Sequence, residues 1–374
     1  MSAIRELEPP QILLTGITGF LGGALAAQLL TNGRKLIAIV RGADLSHASA
    51  RVTRALLPYL GERAEQAVAS SISIVVGDLT SEATYADRRL DEVTHVVHSA
   101  ACTSFASKRS VWTSNVEGTK LLAERLRQSK RLRRFLHVST AYCCGDRPSR
   151  VVREADSPRA EHGHVNEYAR SKAAAEMLLR SMGFEGRLVI ARPSVVIGHT
   201  RLGVEPSSSL YWYCRALSEL GRGPSELSDR RDIVPVDYVA EALLFLLWIE
   251  RPRFDTYHVS AGALGSQALG DLVRKLSGRA ASDVESRWRK IPASAFADLR
   301  DEIRVLVRDE EEARKLAVAL SACARFGELG VDYFENERLL SEGFRPPPRF
   351  VDYLDVCMQS TGDTSLFDQL VDDA

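Results

Sequence analysis

Net charge, cysteine and long apolar runs are all scarce in this chain of 374 residues. Its 49 Lys and Arg residues balance 49 Asp and Glu residues, so the formal net charge at pH 7 is zero. A balanced chain lacks the long-range positive field that nucleic-acid binding usually requires, so we expect no nucleic-acid partner. The longest apolar stretch, Ala242 to Ile249, is too short to cross a bilayer, and the sequence therefore predicts no transmembrane segment.

Six cysteines are too few for a disulfide scaffold, and no CxxC pair or HExxH motif indicates a zinc site. We therefore expect no metal centre and interpret the cysteines as buried thiols in a reducing compartment. The stretch from Met1 to Pro10 carries charges before any apolar run and lacks the pattern of a signal peptide. Together these absences predict a cytoplasmic protein.

What the chain does have is an alternation of two kinds of segment over its first 200 residues. Short β-branched runs alternate with longer amphipathic, helix-like stretches, and the runs begin near Ile12, Lys35, Ile72, His95, Phe135 and Leu188. Apolar strands that alternate with helices predict an α/β protein with a Rossmann-type doubly wound parallel sheet. After residue 200 the alternation weakens, and we expect a smaller, mainly helical C-terminal substrate-binding cap.

The domain boundaries follow from this change of pattern. We assign residues 1–200 to the Rossmann domain, with later strand and helix contributions from about 230–260, and residues 201–374 to the cap. The aromatic run Tyr211-Trp212-Tyr213 falls in the cap. Two interpretations of this run stay open, because large aromatic side chains either line a substrate pocket or pack inside the cap.

A glycine-rich loop follows the first strand-like run. Gly16 permits a tight turn, Gly19 lets the backbone approach a pyrophosphate, and Gly22 lets the next helix pack closely on the strand. The positive end of that helix favours phosphate charge, so the loop predicts dinucleotide binding; a tight turn without a ligand is the alternative. The expected cofactor contacts here are Thr15, Gly16, Thr18, Gly19, Phe20, Leu21 and Gly22.

Arg41 ends the second strand, where an acidic residue would bind the ribose hydroxyls of NAD. A guanidinium suits a 2′-phosphate instead, so we expect NADP (NADPH) in the 1–200 domain and disfavour NAD. Arg51 is the candidate for a second cation, and a solvated charge at the strand end is the alternative role of Arg41. Asp78 follows the third strand and is expected to accept a hydrogen bond from the adenine amino group. The neighbouring expected contacts are Leu79, Ser99, Ala100 and Ala101.

Tyr168 and Lys172 are four residues apart, so a helix would place both on one face. A neighbouring ammonium favours a phenolate, and we therefore expect Lys172 to lower the pKa of Tyr168. The same ammonium is expected to bind the nicotinamide ribose. Both residues thus count as catalytic candidates and as cofactor contacts.

Three further positions complete the predicted catalytic region. Thr140 follows the fifth strand and offers a hydroxyl to the substrate oxygen. Asn115 is expected to hold a water or a backbone group that supports Lys172, and a cap of the helix that follows is a second role, compatible with the first. Pro193 and Ser194 end the sixth strand, at the level where we expect the nicotinamide amide.

Several motifs in order resemble those of the extended short-chain dehydrogenase/reductases. They include the glycine loop, Gly77-Asp78-Leu79, Asn115-Val116-Glu117-Gly118-Thr119, Val138-Ser139-Thr140-Ala141-Tyr142 and Tyr168-Ala169-Arg170-Ser171-Lys172. Within that superfamily, the strings Thr-Gly-Phe-Leu-Gly and Ser-Thr-Ala-Tyr and the segment from Ala191 to Gly198 resemble the thioester reductase and fatty acyl-CoA reductase (male-sterility-like) branch. The resemblance implies that Thr140, Tyr168 and Lys172 are catalytic.

The resemblance further implies NADPH-dependent reduction of an acyl thioester to an aldehyde or alcohol. Such reductases usually follow an adenylation or carrier domain, so we expect CoA or a carrier protein to present the acyl group in trans. Two alternatives stay open on the same fold: a nucleotide-sugar or sterol-type dehydrogenase or epimerase, and a catalytically silent NADP-binding regulator. The intact Thr-Tyr-Lys set argues against the silent regulator. The acyl chain and the oligomeric state are left open.

Overall fold

The computed structural model describes residues 9–103, 108–158, 163–207, 209–307 and 309–361. Its central sheet is built from β1 (Ile12–Thr15), β2 (Leu36–Val40), β3 (Ile72–Val76), β4 (His95–His98), β5 (Arg134–Val138), β6 (Leu188–Pro193) and β7 (Thr256–Val259). The strands lie in the spatial order β3-β2-β1-β4-β5-β6-β7, and every neighbouring pair is parallel. The order reverses between β1 and β4, so the predicted doubly wound Rossmann sheet is confirmed.

Helices cover both faces of this sheet. Those of the first 250 residues are α1 (Phe20–Thr31), α2 (Leu45–Leu60), α3 (Arg63–Ser71), α4 (Lys108–Trp112), α5 (Gly118–Arg127), α6 (Glu167–Ser181), α7 (Ser209–Leu220) and α8 (Val236–Trp248). Those that follow are α9 (Gly262–Gly265), α10 (Leu269–Ser277), α11 (Ala281–Arg287), α12 (Arg300–Ile303), α13 (Glu310–Glu328), α14 (Glu337–Ser341) and α15 (Phe350–Gln359). All of the described helices fall short of the length and apolar character that a membrane span requires.

Shorter elements join these helices and strands. A π-helical turn, Thr113–Glu117, connects α4 to α5, and 3₁₀ turns occupy Glu82–Ala86, Arg88–Glu92, Ala141–Cys144, Ala293–Asp298 and Arg304–Leu306. Pairs of two-residue strands are parallel in three cases: Val151–Val152 with Tyr333–Phe334, Val195–Val196 with Ile233–Val234, and Arg222–Gly223 with Arg289–Lys290. The pair Arg230–Arg231 and Gln267–Ala268 is antiparallel.

The period of two along a strand explains how one sheet forms two apolar layers. Ile12 and Leu14 of β1 point to one face, where they join a cluster with α1, α2 and α8. Leu13 points to the other face and joins a cluster with α5 and α6. Each strand therefore contributes alternate side chains to the two layers, as a parallel sheet buried on both sides requires.

A third apolar cluster lies beyond the sheet. It starts at Ile197 and includes buried side chains of α7, α10, α13 and α15, with Trp212 and Phe350 each only 1% exposed. Its members come almost entirely from the later part of the chain, where the sequence predicts a helical cap. The exact limits of the two predicted domains stay a prediction.

Candidate active site

In the glycine loop between β1 and α1, backbone atoms pack so closely that Gly16 and Gly22 have no room for a side chain. Gly16 has φ +77°, and a Cβ there would lie 2.6 Å from the backbone nitrogen of Ala100. A Cβ on Gly22 would collide with the carbonyl of Gly16. Gly19 precedes α1, and no side chain caps that helix. The first N–H groups of α1 thus remain available to an anion, which fits the pyrophosphate of a dinucleotide.

The residues around the loop divide into those that line a cavity and those that support the loop from below. Gly16, Thr18, Gly19, Phe20, Leu21 and Gly22 line the cavity, as do Ser99 and Ala101. Thr15 is fully buried instead, and its Oγ1 lies 2.7 Å from His98 Nδ1 and accepts from the Ala100 N–H at 3.3 Å. The side chain of Thr15 and the backbone of Ala100 therefore hold the loop together, and the cofactor contacts of both residues stay a prediction.

Arg41 and Asp78 meet at the carboxyl ends of β2 and β3. Burial alone would raise the pKa of Asp78, but hydrogen bonds from Thr80 and the nearby charge of Arg41 lower it. Asp78 Oδ1 accepts from the N–H of Thr80 at 2.9 Å and from its hydroxyl at 2.7 Å. Arg41 is exposed, and Arg51 donates to its carbonyl at 2.5 Å. The two predicted cations are thus adjacent, although Arg51 is already bonded to the backbone.

Leu79 differs from its neighbour Asp78. Its Cβ lies 3.2 Å from the position that a Cβ on Gly118 would take, so Leu79 packs against the start of α5. Arg41, Arg51, Asp78 and Leu79 all lie outside the lining of the main cavity. The adenine end of the predicted cofactor site therefore lies outside this cavity, whereas the glycine loop faces it.

Thr140, Tyr168 and Lys172 come together in that cavity, which has a volume of about 1180 Å³. Thr140 caps the 3₁₀ turn after β5, and its Oγ1 accepts from the Tyr142 N–H at 3.3 Å. Tyr168 and Lys172 lie one turn apart on α6, which begins after Asn166, whose side chain accepts from the Ala169 N–H. Three groups that are distant in sequence thus line one space.

Burial sets the protonation of this set. It raises the pKa of Tyr168 to about 12. It lowers the pKa of Lys172 to about 8, although the nearby Glu176 acts in the opposite direction. The predicted lowering of the Tyr168 pKa by Lys172 is therefore wrong for this structure, because the loss of water around the buried phenol dominates its pKa. Tyr168 is a neutral hydrogen-bond donor at neutral pH.

Asn115 acts through the backbone and through α6. Its Oδ1 accepts from the Cys102 N–H at 2.7 Å, and its Nδ2 donates to the Cys102 carbonyl at 3.0 Å and to Ser171 Oγ at 2.9 Å. Ser171 in turn donates to the Tyr168 carbonyl at 2.7 Å. The second predicted role, a cap of the next helix, is wrong, because Glu117 occupies the cap position of α5. Asn115 instead fixes the turn of α6 that carries both Tyr168 and Lys172.

A buried ion pair lies one turn beyond Lys172 and was missed by the sequence reasoning. Arg192 of β6 binds Glu176 through two hydrogen bonds, at 2.9 and 2.8 Å, and the two side chains are 3% and 0% exposed. The Cys143 thiol donates to the same carboxylate at 3.5 Å. Since Tyr168, Lys172 and Glu176 repeat every four residues, continuing that helical face would have found Glu176.

The other end of the cavity is apolar and belongs to the helices that follow residue 200. Its lining includes Leu210, Tyr211, Tyr213, Leu217, Leu272, Val273, Leu276, Ala319 and Ala322. Trp212 lies outside the lining and is buried in the cluster of α7, α10, α13 and α15. The aromatic run therefore divides between the two interpretations: Tyr211 and Tyr213 face the cavity, and Trp212 packs inside the cap.

Two thiols and the end of β6 complete the lining. Cys214 and Cys323 face the cavity from α7 and α13, and burial raises their pKa values to about 12 and about 11. Pro193 and Ser194 also line it, and the Ser194 N–H donates to the Val259 carbonyl at 3.1 Å. The cavity thus runs from the glycine loop, past Thr140 and Tyr168, to the apolar helices.

Two relatives of known class match most of this region. The carboxylic acid reductase of Segniliparus rugosus is 30% identical over 270 residues, which cover 63% of this chain and 23% of that protein. The fatty acyl-CoA reductase wat of Drosophila melanogaster is 26% identical over 307 residues, which cover 68% of this chain and 59% of that protein. The chain therefore matches less than two thirds of the length of either relative.

Two solved structures share the fold. The terminal R domain from the myxalamid PKS-NRPS biosynthetic pathway has a TM-score of 0.74 at 22% identity, over 94% of this chain and 90% of that one. A thiolation-reductase di-domain from an archaeal non-ribosomal peptide synthetase has a TM-score of 0.70 at 20% identity, over 96% and 77%. At these identities the likeness shows the fold alone.

A family model extends over more than half of the chain. The model, described as male sterility protein and named for NAD binding, matches residues 14–243. This range contains the glycine loop, Thr140, Tyr168 and Lys172. The chain therefore belongs to the male sterility protein family, a branch of the NAD(P)-dependent extended short-chain dehydrogenase/reductases, as its motifs predict.

Proposed function

We propose that this protein reduces an acyl thioester to an aldehyde or alcohol with NADPH. The observation that carries the proposal is the continuity of the cavity, which joins the glycine loop to Thr140, Tyr168 and Lys172 and then to apolar helices. A dinucleotide laid along the loop and an acyl chain laid among the helices would meet at Tyr168. Membership of a family with acyl-CoA and carboxylic acid reductases among the relatives of this chain supports the same reaction.

Each catalytic group has a role that its surroundings favour. The hydroxyl of Thr140 already accepts a bond from Tyr142, so its hydrogen is available to the thioester oxygen. Tyr168, with its pKa raised to about 12, keeps its proton and donates a second hydrogen bond to that oxygen. Two donors aimed at the oxygen stabilise the negative charge that develops there. NADPH, when bound, supplies the hydride.

Lys172 acts on both the cofactor and Tyr168. With a pKa of about 8, it is mostly an ammonium at neutral pH and can bind the ribose hydroxyls of the cofactor. The same charge, one turn from Tyr168, stabilises the phenolate that forms when the phenol gives up its proton. Addition of hydride and a proton gives a hemithioacetal, and its collapse releases the aldehyde and a thiol. A second reduction of the aldehyde yields the alcohol.

The choice of NADPH over NADH rests on Arg41. Its guanidinium lies next to Asp78, at the strand ends where the adenosine ribose of a bound dinucleotide would lie. A 2′-phosphate there would gain a charge-assisted contact that a ribose hydroxyl does not offer.

We further propose that a carrier protein or CoA presents the acyl group, in the cytoplasm. The likeness to a reductase that is solved together with a thiolation domain supports a carrier. The pantetheine arm of either source would deliver the thioester to the same position beside Tyr168.

The decisive experiment measures loss of the reduced cofactor. The protein is mixed with NADPH and a panel of acyl-CoA thioesters, carrier-bound thioesters and nucleotide sugars. We expect oxidation with thioesters, and the released thiol should appear in step with it. Turnover of a nucleotide sugar with no reaction of any thioester would contradict the proposal and favour a sugar-nucleotide dehydrogenase or epimerase.

A further inference from the structure

Arg231 carries a positive charge into the middle of the cavity. It belongs to the two-residue strand Arg230–Arg231, so neighbouring side chains point in opposite directions. Arg230 turns away and donates to the hydroxyl and the carbonyl of Ser266 and to the carbonyl of Ala263. Arg231 lines the cavity, is half-buried, and uses one Nη1 donor on the carbonyl of Arg230 at 2.6 Å.

The surroundings of Arg231 do not neutralise its charge. Its charge acts on Tyr142, Tyr213 and Cys214, which burial keeps protonated by raising the pKa of each. The adjacent Asp232 directs its carboxylate elsewhere, to the backbone N–H groups of Ala261, Gly262 and Phe334, at 2.7, 3.3 and 3.0 Å.

Within the part of the chain that the structure describes, Arg231 makes no ion pair with a carboxylate. A guanidinium has five N–H donors, and the one bond to a carbonyl leaves most of them unused. Removing such a group from water is costly unless an acceptor replaces the water. A ligand that displaces the water around Arg231 is therefore expected to supply the acceptor.

The position of Arg231 restricts which part of the ligand that is. Tyr142, its neighbour, follows Thr140 by two residues and donates its N–H to the Thr140 hydroxyl. Arg231 acts on the phenol of Tyr142 and on Tyr213 and Cys214 of α7, so it lies on the substrate side, between the turn that begins at Thr140 and the apolar helices. Beyond it most of the lining is apolar, with Leu217, Leu272 and Ala322 among its members, and Arg325 of α13 is a second arginine of the lining.

We propose that Arg231 selects acyl groups that carry an oxygen acceptor close to the thioester. A carbonyl, a hydroxyl or, most strongly, a carboxylate on the first carbons of the chain would accept from its guanidinium, and the rest of the chain would lie among the apolar helices. Plain alkyl chains would leave the charge unpaired, and chains with a free amine nearby would be repelled. This inference rests on the proposed thioester reduction.

The test compares acyl thioesters of equal chain length that are unsubstituted, 3-oxo, 3-hydroxy, ω-carboxy or 3-amino. Wild-type protein, Arg231→Met, Arg231→Lys and the control Arg314→Met are assayed for kcat/KM with each. Arg314 is an exposed arginine of α13 outside the cavity lining. Thermal unfolding of every variant separates loss of specificity from loss of the fold.

A charged hydrogen bond is worth enough that we expect the wild type to prefer one or more oxygenated chains by roughly 10- to 100-fold. Arg231→Met should remove this preference, so that the oxygenated and the unsubstituted thioesters react with similar kcat/KM. Arg231→Lys should keep part of it, because an ammonium retains the charge without the fork of donors. Arg314→Met should behave as the wild type.

Two results would overturn the inference. One is a wild-type protein with equal kcat/KM for all the chains. The other is an Arg231→Met variant whose kcat/KM falls by the same factor with every thioester, since Arg231 would then contact the pantetheine arm that all of them share. If no thioester is turned over at all, the proposed function fails instead. Calorimetric binding of the same thioesters then decides the role of Arg231, since a preference for oxygenated chains supports it and equal affinities reject it.

Discussion

The two ends of the cavity are built in different ways. At the glycine loop the walls are backbone, and Gly16, Gly19 and Gly22 lie next to a helix start and two strand ends. At the far end the walls are side chains of α7, α10 and α13, which are separated by many residues in sequence. A backbone wall fixes one ligand shape, here a pyrophosphate, whereas a wall of apolar side chains is reshaped by single substitutions.

The largest expected effect concerns the point where the two ends meet. Tyr168→Phe removes one donor to the substrate oxygen but keeps the ring in place, so turnover of thioesters should fall by roughly 10²- to 10⁴-fold. The affinity for NADPH, measured by fluorescence titration, should change little, because the glycine loop is untouched. An equal loss of cofactor binding would mean that Tyr168 is structural.

The buried ion pair beneath the catalytic helix should dominate stability. Glu176→Leu leaves the Arg192 charge buried without its partner, at a cost of about 3–5 kcal/mol. Unfolding in urea measures this loss. The exposed pair of Arg345 and Glu241 is the matched control, and Glu241→Gln should cost at most about 1 kcal/mol.

A double variant sharpens this prediction. Glu176→Leu combined with Arg192→Met removes both charges of the pair and should recover much of the lost stability, since the Arg192 guanidinium is no longer buried without its partner. If the single and double variants are equally unstable, packing at these positions matters more than the charges.

The next-largest effect is expected at the cofactor end and should change cofactor binding without changing thioester binding. Arg41→Ala should weaken the binding of NADPH by roughly 10- to 100-fold, because the variant loses a charge-assisted hydrogen bond to a phosphate. Binding of NADH and the KM for the thioester should stay near their original values. Equal weakening of NADPH and NADH would show that Arg41 does not recognise the 2′-phosphate.

The smallest effect is expected at the apolar end. Ala322→Leu narrows the space between α13 and its neighbours, and overpacking of this kind costs about 1–3 kcal/mol. The kcat/KM for long-chain thioesters should therefore fall about 10-fold, because an energy of this size corresponds to a rate change of that order. The kcat/KM for acetyl thioester and the affinity for NADPH are the internal controls. An equal fall in kcat/KM at all chain lengths would contradict the assignment of this end of the cavity to the acyl chain.

The sequence was most informative where local pattern determines structure. The strands, the glycine loop and the spacing of Tyr168 and Lys172 are periodic or motif-based, and all appear in the structure as predicted. The contacts of Asn115 could not be predicted, since they depend on a π-helical turn that faces α6.

Two further features depend on tertiary packing. The partner of Glu176 is fixed by how α6 lies on β6, and nothing in the spacing of Glu176 and Arg192 reveals the pair. The pKa direction of Tyr168 was mispredicted because the sequence shows the neighbouring ammonium but not the loss of water. Both features depend on burial in the folded chain rather than on any local motif.

The cysteines of the cavity have a chemical consequence for the proposed reduction of a thioester. A thiol exchanges acyl groups chiefly as its thiolate. Cys214 and Cys323 face the cavity, yet burial raises their pKa values to about 12 and about 11, so almost none of either is ionised at neutral pH. Under the proposed reaction the cavity walls therefore resist self-acylation, and a bound thioester is protected from capture by the protein itself.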